Sequence, residues 1–407
     1  MKKKLALVLA ALLLAGMLGA AGCGRTATSD TKSTGDTAGG TVMFGGTLAM
    51  TGDNAPFDSM GIRGIELAVD QVNKNGGING KQIKWKNLDC KSDPATSAEL
   101  AQQLLDEGAQ VIITSSDYDM GGPAAKVAGQ AGKIGINASA SDPGYGSKKL
   151  GPYAFTMSIW NTTMGASAAE VAYTDDGNRS VWLITDPFIS YTESLTRYFK
   201  ESFTGQGGKV VAEDTVVHGK ADTAALLAKW ASFGTKPDCI WVSGYPDTLG
   251  PIIKEFRASG IKVPIYGGDV YEDPELWKVW GTEYTDNITY AGHSFISKEA
   301  VPTIEEYKAL YKAKYNQELD APWSMGGWDV IMVLTEAMKA TKSFDGKTVA
   351  AYMEKNTFSV KTGGPDGITW SSAADGHEPD KAACMVKLEK GVPRFLGWKK
   401  PKVLPKP

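Results

Sequence analysis

The chain has 407 residues, more than a single domain usually holds, so two lobes are the default expectation. Hydrophobic residues make up 42% and charged residues 22%, the balance of a folded globular protein and not of a disordered or fibrous one. With 43 Lys and Arg against 46 Asp and Glu the net charge is −3, which excludes the basic footprint of a nucleic-acid binder.

The chain opens with Lys2-Lys3-Lys4 and an apolar stretch, Leu5 to Leu18, too short for a stable membrane span. Ala20-Ala21-Gly22 and Cys23 follow, and this run resembles the lipobox of bacterial lipoproteins, with alanine where leucine is commoner three residues before the cysteine. The expectation is a signal peptide over 1–22, with Cys23 as the lipidated first mature residue and membrane anchor. Residues 23–40 carry no apolar side chain larger than alanine after Cys23 and read as a flexible tether, with a reach of roughly 20–25 Å. The remaining cysteines, Cys90, Cys239 and Cys384, are odd in number, so at least one is unpaired. Cys239 lies in an apolar run and reads as a core thiol, whereas a pairing of Cys90 with Cys384 stays open.

Val42 to Met50 reads as a first strand. Ile65, Ala68, Val69 and Val72 then have the spacing of an amphipathic helix, which Asn75-Gly76-Gly77 ends. A short strand around Ile83 and Trp85 follows, and Asp93-Pro94 opens the next helix. Val111-Ile112-Ile113 is a buried strand ending in a polar loop, Thr114 to Gly122. Ile134-Gly135-Ile136 ends likewise in Asn137 to Asp142. The rhythm restarts after Tyr153, with strands at Val181–Ile184, Val210–Ala212, Ile240–Val242 and Pro264–Asp269 and helices between them. Strand, polar loop, helix is the pattern of a doubly wound parallel sheet, where ligands collect at the carboxyl ends of the strands.

The run GIELAVDQVNKNGGINGKQI, followed by D-x-x-SDP, resembles the signature of substrate-binding proteins of the branched-chain amino-acid type of ABC importer, and the likeness continues through most of residues 41–400. The resemblance implies an α/β fold of two doubly wound parallel-sheet lobes joined by a three-crossing hinge, the type I periplasmic-binding fold. The lobes would be 41–160 plus 293–372 and 161–292 plus 373–407. It also implies closure around a small ligand, an amino acid that is branched-chain or larger apolar or aromatic, and delivery to an ABC permease with its ATPase on the extracytoplasmic face. An aromatic acid, an amide or urea, or a sensing role beside a membrane signalling partner, remain alternatives. No cofactor, metal or nucleic acid is implied.

From the first lobe the resemblance nominates Tyr118 and the small loop Ser139-Ala140-Ser141, whose hydroxyls and backbone would hold an amino acid's carboxylate and amine. Tyr118 departs from the small hydroxyl residue usual there, and Asp117 and Asp119 beside it would repel a ligand carboxylate. Either they face solvent or the ligand is not a standard amino acid. From the second lobe Asp269 aligns with the acidic partner of the ligand ammonium. Phe57, Trp160, Tyr191, Tyr245 and Trp323 are the aromatic candidates, expected to line a roomy pocket. Enzyme chemistry finds little support. His218, His293 and His377 lack metal spacing, and no G-x-S-x-G elbow or Walker loop occurs.

Overall fold

The computed structural model describes residues 39–407, so the leader, Cys23 and most of the tether lie outside the described residues. Residues Gly39–Pro407 form one compact unit. Its first part runs β1 (Thr41–Thr47), α1 (Ala55–Lys74), β2 (Gln82–Asn87), α2 (Pro94–Asp106), β3 (Ala109–Thr114), α3 (Tyr118–Gln130), β4 (Ile134–Asn137), α4 (Ser147–Leu150) and β5 (Ala154–Thr156). The five strands make a parallel sheet in the order β2-β1-β3-β4-β5. Val111, Ile112 and Ile113 are all fully buried at its centre, because helices cover both faces and no alternation is needed.

The caps follow from local chemistry. After α1 the amide of Gly77 donates to the Val72 carbonyl, and Gly77 sits at φ +72° with a Cβ position only 2.0 Å from the Lys81 carbonyl oxygen, so only glycine fits. At α2 the Asp93 carboxylate accepts from the Thr96 amide at 2.7 Å, with Pro94 in the first turn.

The second part runs α5 (Asn161–Glu170), β6 (Ser180–Thr185), α6 (Ser190–Gly205), β7 (Lys209–Thr215), α7 (Thr223–Ser232), β8 (Cys239–Ser243), α8 (Pro246–Ala258), β9 (Ile265–Gly267), α9 (Pro274–Trp280) and β10 (Ile288–Gly292). The chain then returns to the first sheet with α10 (Ile304–Tyr315), α11 (Trp323–Thr341) and α12 (Gly346–Met353). Val330, Ile331 and Leu334 of α11 join Phe44, Ile65 and Val111 in one core. After a short ladder of β11 (Thr369–Trp370) and β12 (Pro379–Asp380), the hairpin β13 (Ala383–Glu389) and β14 (Val392–Lys399) completes the second sheet. Its order is β14-β13-β10-β9-β8-β6-β7, parallel except where β13 meets β10 and β14. The sequence pattern passes over β5, α4, α9 and the β11–β12 ladder, pieces too short to show a period.

The chain passes between the sheets three times, after β5, after β10 and before β13. Buried polar groups tie these crossings together. Ser158 Oγ lies 2.8 Å from His293 Nε2, and Lys381 Nζ donates to the Met157 carbonyl at 2.5 Å and to Thr362 Oγ1 at 3.1 Å. Burial pulls the Lys381 ammonium down to about 8, although Asp329 and Glu272 oppose that fall. Cys90, Cys239 and Cys384 are all free and buried, which closes the question of a Cys90–Cys384 bridge.

Candidate functional site

Strand ends β3 and β4 of the first sheet face those of β8 and β9 of the second, and the loops leaving them enclose one cavity. Phe57, Ser116, Asp117 and Ser139 line it with Trp323 from the first lobe. Tyr191, Tyr245, Asp269 and Val270 line it from the second. The lobes are closed over it. Tyr245 Oη donates to Asp117 Oδ2 and, at 3.1 Å, to Asn54 Oδ1. Outside the cavity the Ser190 amide and hydroxyl each donate to Asp119 at 3.0 Å, and Ser194 Oγ donates to Asp142 at 2.6 Å.

Asp269 stands at the start of the 3-10 turn after β9. Its Oδ1 accepts from Tyr191 Oη at 2.5 Å, and its Oδ2 lies 3.4 Å from His293 Nδ1. Burial pushes its carboxyl up to about 6, with His293 and Tyr191 holding it below what burial alone would impose. Asp117 is pushed up to about 8, again chiefly by burial, with Tyr245 resisting and Asp269 adding repulsion. Burial raises both cavity phenols well above their ordinary range, so Tyr191 and Tyr245 remain donors.

Asp117 reaches the cavity through unusual backbone, at φ 70° and ψ 151°, a region that glycine alone enters freely. The loop around it is held from three sides. Asp58 Oδ1 accepts from the Ser116 amide at 2.9 Å and hydroxyl at 2.6 Å, and Asp58 Oδ2 accepts from Ser115 Oγ and the Ala49 amide. Asn54 Nδ2 donates to the Ser116 carbonyl at 2.6 Å, and Asn137 Nδ2 to Thr114 Oγ1 at 3.1 Å. Burial raises the Asp58 carboxyl, and the donors on Ser115, Ser116 and Ala49 offset only part of that rise.

Of the residues nominated from sequence, Phe57, Ser139, Tyr191, Tyr245, Asp269 and Trp323 meet at this cavity. Tyr118, Ala140, Ser141 and Trp160 lie outside its lining. The Tyr118 ring lies under Lys149 Nζ, 5.3 Å from the ring centre. Ala140 is fully buried beside Tyr145 and Ala125. Ser141 is 1% exposed, and its hydroxyl has no hydrogen-bond partner. Trp160 stands at the first crossing and faces a separate cleft with Lys148 and Arg197. Asp117, Ser116 and Val270 are additions. Position in the Thr114–Gly122 loop and adjacency to Asp269 were the available signals.

The expected roominess is corrected. The rings fill the cleft, with Phe57 and Trp323 centroids 5.0 Å apart and Phe57 edge-on to Tyr245 at 5.7 Å. The cavity left between them is about 20 Å³. Among the described residues no group of three or more His, Cys, Asp or Glu is arranged to hold a metal ion.

Two α/β lobes closed over a cavity at their strand ends, with three crossings behind it, define the type I periplasmic binding fold. The chain belongs to the family described as Periplasmic binding protein, whose profile matches residues 41–392. A Leu/Ile/Val-binding protein homolog 1 from Brucella suis biovar 1 (strain 1330) is 25% identical over 359 residues, covering 86% of this chain and 91% of the relative. The branched-chain amino acid transporter substrate-binding protein LivJ from Streptococcus pneumoniae, solved with isoleucine, is 26% identical. Its TM-score is 0.78, over 90% of this chain and all of the other. A solute-binding protein from Rhodopseudomonas palustris BisB5, solved with 3,4-dihydroxybenzoic acid, shares the fold at 22% identity and a TM-score of 0.76, covering 90% and 99%.

Proposed function

We propose that this chain is an extracytoplasmic solute receptor, anchored to the membrane through lipid on Cys23. It captures a small amine-bearing ligand, an amino acid or a derivative of one, by lobe closure and hands it to an ABC permease with its ATPase. The observation that carries the reading is Asp269, a carboxylate 3% exposed at the floor of the interlobe cavity, with Tyr191 on one oxygen and His293 on the other. An ammonium held there forms a charge-assisted hydrogen bond once closure expels water. The isoleucine bound by the LivJ relative supports an amino-acid scaffold. The work is binding and not turnover: contacts made with both lobes favour the closed form over the open one.

A thermal-shift panel of amino acids, amino amides and aromatic carboxylates tests this. A ligand present at about 100 times its Kd adds roughly 2.7 kcal/mol of stability. The expected result is a raised midpoint with amine-bearing compounds. A shift confined to compounds without an amine would overturn the ligand reading.

A further inference from the structure

The cavity is acidic on both walls, which constrains the ligand more tightly than an amine alone. Asp117 comes from the first lobe and Asp269 from the second, 7% and 3% exposed, and neither Lys nor Arg is among the lining residues. The nearby base, His293, stands between Asp269 and Glu272, 3.4 and 3.2 Å from their carboxylates.

The serine and loop-amide donors beside Asp117 are already committed, whereas the indole N–H of Trp323 in the lining has no hydrogen-bond partner and is free to meet a ligand carbonyl. The donors of Ser115 and Ser116 go to Asp58, and the amides of Ser139 and Ala140 go to Asn137 Oδ1 at 2.7 and 2.6 Å. The Ser139 hydroxyl pairs with that of Ser116 at 2.8 Å. An ammonium bound at Asp269 favours the charged form of Asp117, whose carboxyl otherwise stands at about 8, and against that charge a zwitterion's own carboxylate is set where water no longer screens the repulsion. A group bearing N–H donors meets an acceptor instead. The four aromatic rings of the lining favour a cation for the same electrostatic reason.

We propose that the ligand places a cationic amine at Asp269 and a second N–H donor group at Asp117, and carries no free carboxylate: the chemical class of amino-acid amides and short diamines. This rests on the reading of the cavity as the ligand site with Asp269 as the amine's partner.

Leucine and leucinamide share the amine and the side chain and differ only at the carboxyl group, so titration calorimetry with this pair isolates the Asp117 side, with 1,4-diaminobutane as a third probe. Leucinamide is expected to bind wild-type protein roughly 10-fold or more tightly than leucine, because an amide satisfies the buried acceptor that a carboxylate repels. Asp117→Asn, which keeps the shape and removes the charge, is expected to cut that preference to under about 3-fold. Leucine binding as tightly as leucinamide in the wild type would overturn the inference and leave the amine reading standing, since Asp117 would then hold a proton and donate to the carboxylate. Binding by none of the three probes would overturn it as well. If an aromatic carboxylate alone bound, the reading of Asp269 would fall with it. The wild-type comparison decides the matter even if Asp117→Asn does not fold.

Discussion

Asp269 carries one hydrogen bond from Tyr191 and one contact to His293, and both partners are themselves buried. Replacing it with alanine leaves the ligand ammonium desolvated without a counter-charge. Asp269→Ala is therefore expected to weaken an amine-bearing ligand by roughly 10-fold or more in calorimetry, since hydrogen bonds to charged groups contribute about 1.5–3 kcal/mol. Unchanged affinity would remove Asp269 from the site. At this scale the sequence was partly legible. Asp269 stood out through the family resemblance, which aligns it with the acidic partner of a ligand ammonium; the residues alone would equally allow a surface aspartate in a glycine turn. Asp117 was visible as a charge but not as an inward one. Its direction depends on a φ of 70°, which contacts from Asn54, Asp58 and Asn137 impose from far along the chain.

The element pair that sets the cavity wall is α1 against α11. Gly64 of α1 would place a Cβ 1.7 Å from the Ser324 carbonyl oxygen, and Gly327 of α11 would place one 2.0 Å from that of Gly61. Backbone meets backbone here, so neither side can yield by turning a rotamer. Phe57 near the start of α1 and Trp323 at the start of α11 owe their 5.0 Å ring contact to this close approach. Gly64→Ala is expected to lower stability by about 1–3 kcal/mol or more, read as a falling thermal midpoint, and to weaken ligand binding as the rings part. Gly129→Ala in α3 is the contrast. Its Cβ would come no nearer than 3.4 Å to another atom, so its midpoint should hold or rise. The helix itself was readable from Ile65, Ala68, Val69 and Val72, all of which are buried. The partner of its glycines was not, because a glycine leaves no apolar mark in the pattern. β5 was missed for a related reason: three residues carry no period, and the strand exists because β4 offers it a ladder.

For the whole molecule, closure takes Asp117 and Asp269 out of water. Their carboxyls rise from the ordinary value of about 4 to about 8 and about 6 in the closed form. A group whose value is raised on closure favours the closed form fully below the open-state value, and that support is lost as pH rises through the closed-state value. The ligand-free protein is thus expected to be most closed near pH 4 and to open progressively as pH climbs to about 8. Small-angle scattering would register this as a growing radius of gyration. Asp117→Asn should remove the upper part of that window, between about 6 and 8, and a radius independent of pH would refute the account.

Apolar periodicity, glycine stops and the Asp93-Pro94 start act within one or two turns of chain. They settle the longer helices and strands and their alternation by themselves, and alternation of this kind leaves few ways to stack a sheet. Tertiary structure alone decided which strand-end side chains converge: Asp117 and not Tyr118, Ser116 and Ser139 and not Ser141, and a cleft filled by its own aromatic rings. Convergence depends on the direction of single loop residues and on the closure of two lobes, and both are set by contacts between residues tens to hundreds of positions apart.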